Sequence, residues 1–501
     1  MRSRIARPAF AALAAAALLA VTGCQVDVDT AGGPPSGDDS TLTVAIDRSI
    51  DSLDPHESGS SGDRHVLANI FDRLVETDVD GGFVPGLATS WEVSADELSY
   101  TFRLREGVTF HNGEAFDADA VAANIERMRD LARSDEIATI SSVDVVDPLT
   151  VRFRLSEPFG GLLATLADRA GMMVAPEAAR DRAAFAAHPV GTGPFEFASQ
   201  TTGDSVTLTR NEDYWTPGTP TVDRVVFRII PDTDAKVARL LAGELDLVDT
   251  VSPQSVPRIE NNDSLRLSTR ELTFNIRVYF NSGRAPFDDV RLRRAVAAAI
   301  DRTEAARVAN GEYAVPAPGP FPGVGQVPQA DPDTARRLAA EAGVAPRFSM
   351  LVNADDPAQS RLAQTLQSQL AQAGITMEID AREYGAMLSQ YRSLDYDAIL
   401  LTNSGLPTLG ESYYRNFHPD GSAYESGFAD ETVHEHLAAL RANSDEARGP
   451  ELERRLADDF AREVPQVTLF FFTDLKAVSQ RVQGFQHYAD GVLRLAKVGR
   501  A

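Results

Sequence analysis

Leu104-Arg-Glu-Gly-Val-Thr-Phe-His-Asn-Gly113 runs on into Phe116-Asp-Ala-Asp-Ala-Val121, and together they read as the end of a strand, a turn and the start of a helix. Just before them, Tyr100-Thr-Phe-Arg-Leu104 alternates apolar and polar side chains at a period of two, as a half-buried strand does. Asn112-Gly113 is turn chemistry, since both residues tolerate left-handed backbone. Asp117 is placed to cap a helix. Its carboxylate can accept from the free amides of the first turn, and Val121, Ile125, Met128 and Ala132 then fall on one stripe. A strand, a tight turn and a capped helix in succession point to an α/β protein.

The pattern extends in both directions. Thr41-Leu-Thr-Val-Ala-Ile46, Thr150-Val-Arg-Phe-Arg-Leu155 and Ser205-Val-Thr-Leu-Thr-Arg210 have the spacing of strands. After Asp288, which is expected to cap, a helix over 289–300 places Leu292, Val296 and Ile300 together. Leu362, Leu366 and Leu370 recur every four residues up to Gly374, a natural helix stop, and Ile375-Thr-Met377-Glu-Ile379 then alternates. Helix, glycine and strand make half of a βαβ unit, which predicts a parallel sheet in the C-terminal half. No repeat of solenoid or propeller length is visible.

The composition limits the function. Among 501 residues, 48 are basic and 73 acidic, a formal net charge of −25, and such a surface repels a phosphate backbone, so no nucleic-acid partner is expected. Only Lys236, Lys476 and Lys497 are lysine, a bias toward arginine that reads as GC-rich coding. A single cysteine rules out an intramolecular disulfide and a cysteine-based metal cluster. No nucleophile elbow, phosphate loop or zinc-protease motif is present. His434-Glu435-His436 would point its imidazoles to different faces of a helix, and it reads as a solvated face. Gly191-Thr-Gly193 followed by Pro194 reads as a tight turn feeding a strand at Phe195-Glu-Phe197. The chain is therefore read as a non-enzyme without a cofactor.

Residues 1–23 carry Arg2, Arg4 and Arg7 before an apolar run from Ala11 to Val21, the layout of a secretory signal and too short for a permanent span. Val21-Thr22-Gly23-Cys24 resembles the bacterial lipobox, so Cys24 is expected to be lipidated. Residues 24–40 are then the lipidated cysteine and a Gly/Pro/Ser/Asp-rich tether. The body would sit outside the cytoplasm, in a periplasmic space or at the cell surface, held to the membrane by lipid alone.

Five segments together resemble the extracytoplasmic solute-binding proteins of peptide and nickel ABC importers, family 5. They are the opening stretch 104–121, Pro189-Val-Gly-Thr-Gly-Pro-Phe195, Asn211-Glu-Asp-Tyr-Trp215, Ile230-Pro-Asp-Thr-Asp-Ala with Leu241-Ala-Gly-Glu-Leu-Asp-Leu247, and Phe280-Asn-Ser through Ala298-Ala-Ile-Asp-Arg302. Each also has a structural reading, with Trp215 and Phe287 as core anchors. The resemblance covers roughly residues 41–495. It implies an α/β, two-lobed, periplasmic-binding-protein-like clamshell of type II with an extra inserted subdomain in lobe I. Lobe I would take residues 41–271, with the insert near 61–184, lobe II 272–475, and 476–501 would return to lobe I. The crossings would be Leu272-Thr-Phe-Asn-Ile276 and Val467-Thr-Leu-Phe-Phe-Phe472.

The same resemblance implies a binding site without chemistry. In lobe I the loop Asp51-Ser-Leu-Asp-Pro-His56 nominates Asp54 and His56. In lobe II a polar, aromatic loop after a strand at 396–401 nominates Asn403, Glu411, Tyr413, Tyr414 and His418, because α/β sheets bind ligands at the carboxyl ends of their strands. A peptide would need a carboxylate such as Glu411 for its amino terminus. A nickel or other metal chelate, the alternative, would need His418 or His56. The stretch Ser404-Gly-Leu-Pro-Thr408 lacks the aromatics of the nickel branch, and Gly421 stands about where that branch has a histidine. The expected partners are a peptide or small-molecule solute and an ABC permease with separate ATPase subunits, and the protein is expected to be a monomer. A ligand-sensing lipoprotein without a transport role is the alternative of another class.

Overall fold

The structure is a computed structural model, and it describes residues 40–343, 346–403 and 408–500. The signal segment 1–23, Cys24, the tether to residue 39, and Ser404 to Pro407 lie outside the described residues.

Two long antiparallel strands organise the body, Leu265–Phe280 and Gln466–Ser479. They pair from Leu265↔Ser479 to Tyr279↔Gln466, and the register slips between Glu271 and Asn275 and again between Ile276 and Arg277. Each slip leaves backbone outside the ladder and lets a strand bend locally. These two strands are the middle of an eleven-stranded sheet among the described residues, and they extend it in opposite directions. On the Leu265–Phe280 side come Ala398–Asn403, Arg347–Asn353 and Thr376–Arg382. On the Gln466–Ser479 side come Leu247–Val248, Thr41–Ile46, Arg224–Ile229, Ser205–Arg210 and Phe195–Thr201, and Ala314–Pro316, the eleventh, pairs with Gln466–Ser479 off this order.

Arg347–Asn353 is parallel to both of its neighbours, as the helix-glycine-strand pattern predicted. Helix Pro357–Gln372 ends at Ala373, and Gly374 at φ +74° makes the turn into Thr376–Arg382. Thr41–Ile46 is parallel to Arg224–Ile229.

Packing obeys this division. At one end of the long strands, Ile276, Val278 and Phe280 face a core with Leu362, Leu366 and Leu370, while Tyr279 faces another with Tyr413, Phe417 and Phe460. At the other end Val478 packs with Leu42, Val44 and Phe227, and Leu475 and Ala477 pack with Val237 and Ile259. A separate four-stranded sheet, Ala88–Val93, Ser99–Leu104, Thr150–Leu155 and Ile140–Asp147, has its own core running from Leu74 to Ala175. Helix Ser61–Ile70 packs on the main sheet and not on this one.

Aspartates start many of the helices. Asp117 accepts from Ala120 N, and Asp181, Asp232, Asp301, Asp331, Asp356 and Asp430 make equivalent bonds. Part of the acidic excess thus goes to amides that a first turn leaves unpaired. The helix expected over 289–300 is Val290–Ala299, and its cap is Asp289, not Asp288. Asp289 has the extended backbone a cap needs and reaches Arg291 N, whereas Asp288 is still within the preceding turn. Likewise Ala118–Met128 ends before Ala132, which is exposed, and the strand expected at 396–401 runs Ala398–Asn403.

Candidate functional site

The signature segments converge on one another. His111 Nε2 lies 3.0 Å from Gly193 O, Asn211 Nδ2 donates to Gly193 O at 3.0 Å, and Thr192 Oγ1, Tyr214 OH and Trp215 Nε1 all donate to Asp72 at 2.8–3.1 Å. Trp215 is only half-buried, with the Arg105 guanidinium 4.2 Å from its ring centre. Burial lifts the Asp72 carboxyl to about 7, against the pull of these three donors. Gly191 and Gly193 have another reason than a turn: a Cβ there would stand 2.2 and 2.5 Å from the Ile70 backbone. These motifs build the frame.

The loop nominated in the first part of the chain is pinned to that frame. Arg127 holds both oxygens of Asp54 and donates to His56 Nδ1 at 2.8 Å, which leaves the ring proton on Nε2 for Met172 O at 3.1 Å. His56 is 0% exposed, and desolvation, helped by Arg127, takes its pKa down to about 4. Asp54 and His56 are therefore buried and engaged in fixing the loop. Arginines fix the next residues of the loop as well. Arg133 Nη1 donates to Ser58 O at 2.8 Å, and buried Arg169 donates to Ser58 O and Ser60 O at 3.3 and 3.0 Å. Burial takes Arg169 down to about 10, against the attraction of Asp168.

Helix Leu409–Phe417 carries most of the second set, starting from Thr408, whose hydroxyl accepts from Glu411 N. Tyr413 is core: it is 0% exposed, its OH donates to Pro320 O, and burial raises its pKa to about 12. Tyr414 stacks on His418 with centroids 4.3 Å apart, and His418 Nδ1 accepts from Asp420 N at 3.2 Å. Burial lowers the His418 pKa. Asn403 ends its strand and shares hydrogen bonds with Ser412 and Arg277. Gly421 has no room for any side chain, since a Cβ would stand 2.4 Å from Arg415 O. His434 and His436 are half-buried on either side of exposed Glu435, and each imidazole has a neighbour. His434 lies 5.5 Å from the His418 ring, and His436 Nδ1 meets Asp459 at 2.5 Å.

Glu411 has a partner that the sequence reading missed. Arg441 donates from Nε to Glu411 at 3.0 Å and from Nη1 to Glu157 at 2.8 Å, and its guanidinium lies 4.4 Å over the Tyr414 ring. Burial pushes the Glu411 pKa up while Arg441 opposes it. The same seam joins Gly160 N to Arg441 O at 2.9 Å and Ser444 Oγ to Glu97 at 2.7 Å, around a cavity of about 150 Å³. A larger groove of about 570 Å³, lined by Pro253, Gln254, residues 307–311 and Arg361, contains none of the nominated residues. Its arginines are exposed, as befits an open surface groove.

No group of three or more metal-binding side chains is assembled among the described residues, and no described helix is long and apolar enough to cross a membrane. Two parallel-sheet ends meeting across paired long strands, with polar side chains gathered at the seam, define a two-lobed solute-binding protein.

Comparison with known proteins supports this. The family model "Bacterial extracellular solute-binding proteins, family 5 Middle" matches residues 82–424. The glutathione-binding protein GsiB of Pectobacterium atrosepticum is 31% identical over 355 residues, 68% of this chain and 69% of the relative. HbpA2 of Haemophilus parasuis superposes with a TM-score of 0.82 at 23% identity, covering 92% of this chain and 100% of that one. The binding protein AgaA of A. tumefaciens R10, solved with agropinic acid, gives a TM-score of 0.76 at 25% identity, covering 92% and 99%. The chain belongs to family 5 of the bacterial extracellular solute-binding proteins, the capture components of ABC importers.

Proposed function

We propose that this protein is a lipoprotein that captures a peptide or peptide-like solute outside the membrane and delivers it to an ABC permease, with Cys24 as its anchor. The observation that carries the reading is the identity with a glutathione-binding protein across two thirds of both chains. The geometry adds a route for the amino group. Glu411 is held by Arg441, a cation, in a half-closed pocket at the seam, and a ligand ammonium could replace that cation when the seam parts. In this reading the lobes are 41–271 with the returning tail and 272–475, and the strand irregularities at 271–277 are where they bend. Tyr414, Asn403 and His418 would line the lobe II wall.

The test is native mass spectrometry of the full chain, extracted in mild detergent from cells grown in rich medium. A retained mass that fragments into amino acids, and that Glu411→Gln no longer retains, is the expected result. A retained nickel or metal-chelate mass that depends on His418 would replace the peptide reading. An empty protein that no peptide or metal library stabilises would favour the sensor.

A further inference from the structure

Arg277 lies on the long strand Leu265–Phe280 between Ile276 and Val278, and it is 0% exposed. Its side chain shares a face with Tyr279. The guanidinium donates to Asn275 Oδ1, to Tyr279 OH at 3.1 Å, to Gln466 Oε1 at 3.5 Å and to Asn403 Oδ1 at 3.3 Å, and it stands 4.4 Å from the Tyr413 ring centre. Every one of these groups is neutral. Among the described residues no carboxylate lies within 4.0 Å of Arg277, and Ser404 to Pro407, beyond Asn403, carry no acid either.

Several cations of the chain are matched, Lys236 by Asp249, Arg127 by Asp54, Arg64 by Asp168 and Arg494 by Asp490, whereas buried Arg169 and Arg302 are held by the backbone carbonyls of Ser58, Ser60 and Ala317, and Arg277 alone among these three is held by neutral side chains at a strand end. A guanidinium keeps its proton in proteins, so a buried one remains a charge to be solvated. Amide and phenol dipoles solvate the charge without balancing it. The position is informative as well. Asn403 is the last residue of its strand, at the carboxyl end of a parallel pair, and Ser412 of helix Leu409–Phe417 binds it from above. That is the end of an α/β sheet where ligands bind.

We infer that Arg277 is a specificity residue that holds an anionic group of the solute, a carboxylate in the first instance, so that the counter-ion of this buried cation is the ligand. The inference rests on the solute-binding reading but not on the solute being a peptide. Tyr279, Asn275 and Gln466 aim the guanidinium, and Asn403 is the partner that yields to the incoming carboxylate. Binding then selects acids over their amides or esters, because an uncharged terminus leaves the cation uncompensated and adds its own desolvation.

The experiment uses the full chain in detergent and calorimetric titration with paired probes: glutathione and its glycine-carboxylate ethyl ester, triglycine and triglycinamide, glutarate and glutaramide. The wild type is expected to bind at least one acid more tightly than its neutral partner, by about tenfold or more. Arg277→Met should abolish that difference, and Arg277→Lys should keep part of it. Far-ultraviolet circular dichroism and melting temperature check that the variants fold, and the acid-to-neutral ratio of the wild type needs no variant. If only glutarate shows the Arg277-dependent preference, the peptide reading falls and this inference stands. If the wild type binds neutral and acidic partners equally, binds none of the acids, or keeps its preference in Arg277→Met, the inference is overturned.

Discussion

Two of the three lysines, Lys236 and Lys476, are buried on either side of Asp249, in a chain that elsewhere uses arginine. Lys236 Nζ donates to Asp249 Oδ1 at 2.7 Å, and Lys476 Nζ donates to Asp249 O at 2.9 Å and meets Asp474 at 2.8 Å. Both ammonium groups are compact point charges that reach their acceptors directly. Burial alone would raise Asp474, but Lys476 and the bond to His487 take it down to about 2. Asp249→Asn would leave Lys236, 0% exposed, without its ion-pair partner. Its expected cost is about 3 kcal/mol of unfolding free energy, measured by urea denaturation, and a change below about 1 kcal/mol would mean that the ammonium is solvated some other way.

Elements meet where glycine lets them. A Cβ on Gly160 would stand 1.7 Å from Asn443 O, so helix Glu431–Ala442 and segment 157–161 touch only because residue 160 has no side chain. Gly160→Ala should therefore hold the seam open without unfolding either side. The expected result is a larger radius of gyration by small-angle scattering, a melting temperature close to wild type, and roughly tenfold weaker retention of the captured solute. Gly449→Ala, with nothing within 4 Å of the new methyl, is the silent control. Arg441→Met should act in the same direction by releasing Glu157 and Glu411 together.

For the whole molecule, acid stability depends on histidines kept neutral inside. His56 goes from its ordinary 6.5 to about 4 because burial and Arg127 disfavour the imidazolium. A lowered histidine pKa means that the unfolded chain takes up the proton first. Stability is thus intact above pH 6.5 and falls progressively down to about 4, where the folded form titrates too. His65 at about 3 and His111 at about 4 act the same way, while Asp72 at about 7 works in the opposite direction, since its folded form binds the proton first. Between about pH 7.5 and 4, wild type should lose about 3 kcal/mol more than His56→Gln, read from denaturation curves across pH. Parallel curves would show that His56 is not the group that titrates. A Cys24→Ser chain should leave the membrane fraction for the soluble one, and continued membrane retention would refute the lipid anchor.

The amino-acid sequence was enough for the class of fold and for many element positions, because alternation, capping aspartates and stop glycines act within a few residues of one another. Thr41–Ile46, Thr150–Leu155 and Ser205–Arg210 stand where period-two patterning placed them, and Gly374 ends its helix. The five signature segments were enough to reach the family. The site was less legible. Asp54, His56 and Tyr413 look like ligand-facing polar and aromatic residues in sequence, and only tertiary packing buries them against Arg127, Met172 and Pro320. Glu411 reads as a free acid until helix Glu431–Ala442 brings Arg441 to it, 30 residues away in the chain. The one local hint for Arg277 was an arginine inside an otherwise apolar run, Ile276-Arg277-Val278. Whether such a charge meets water, a carboxylate or a neutral cage is set by strands far apart in sequence, and so only the folded chain decides it.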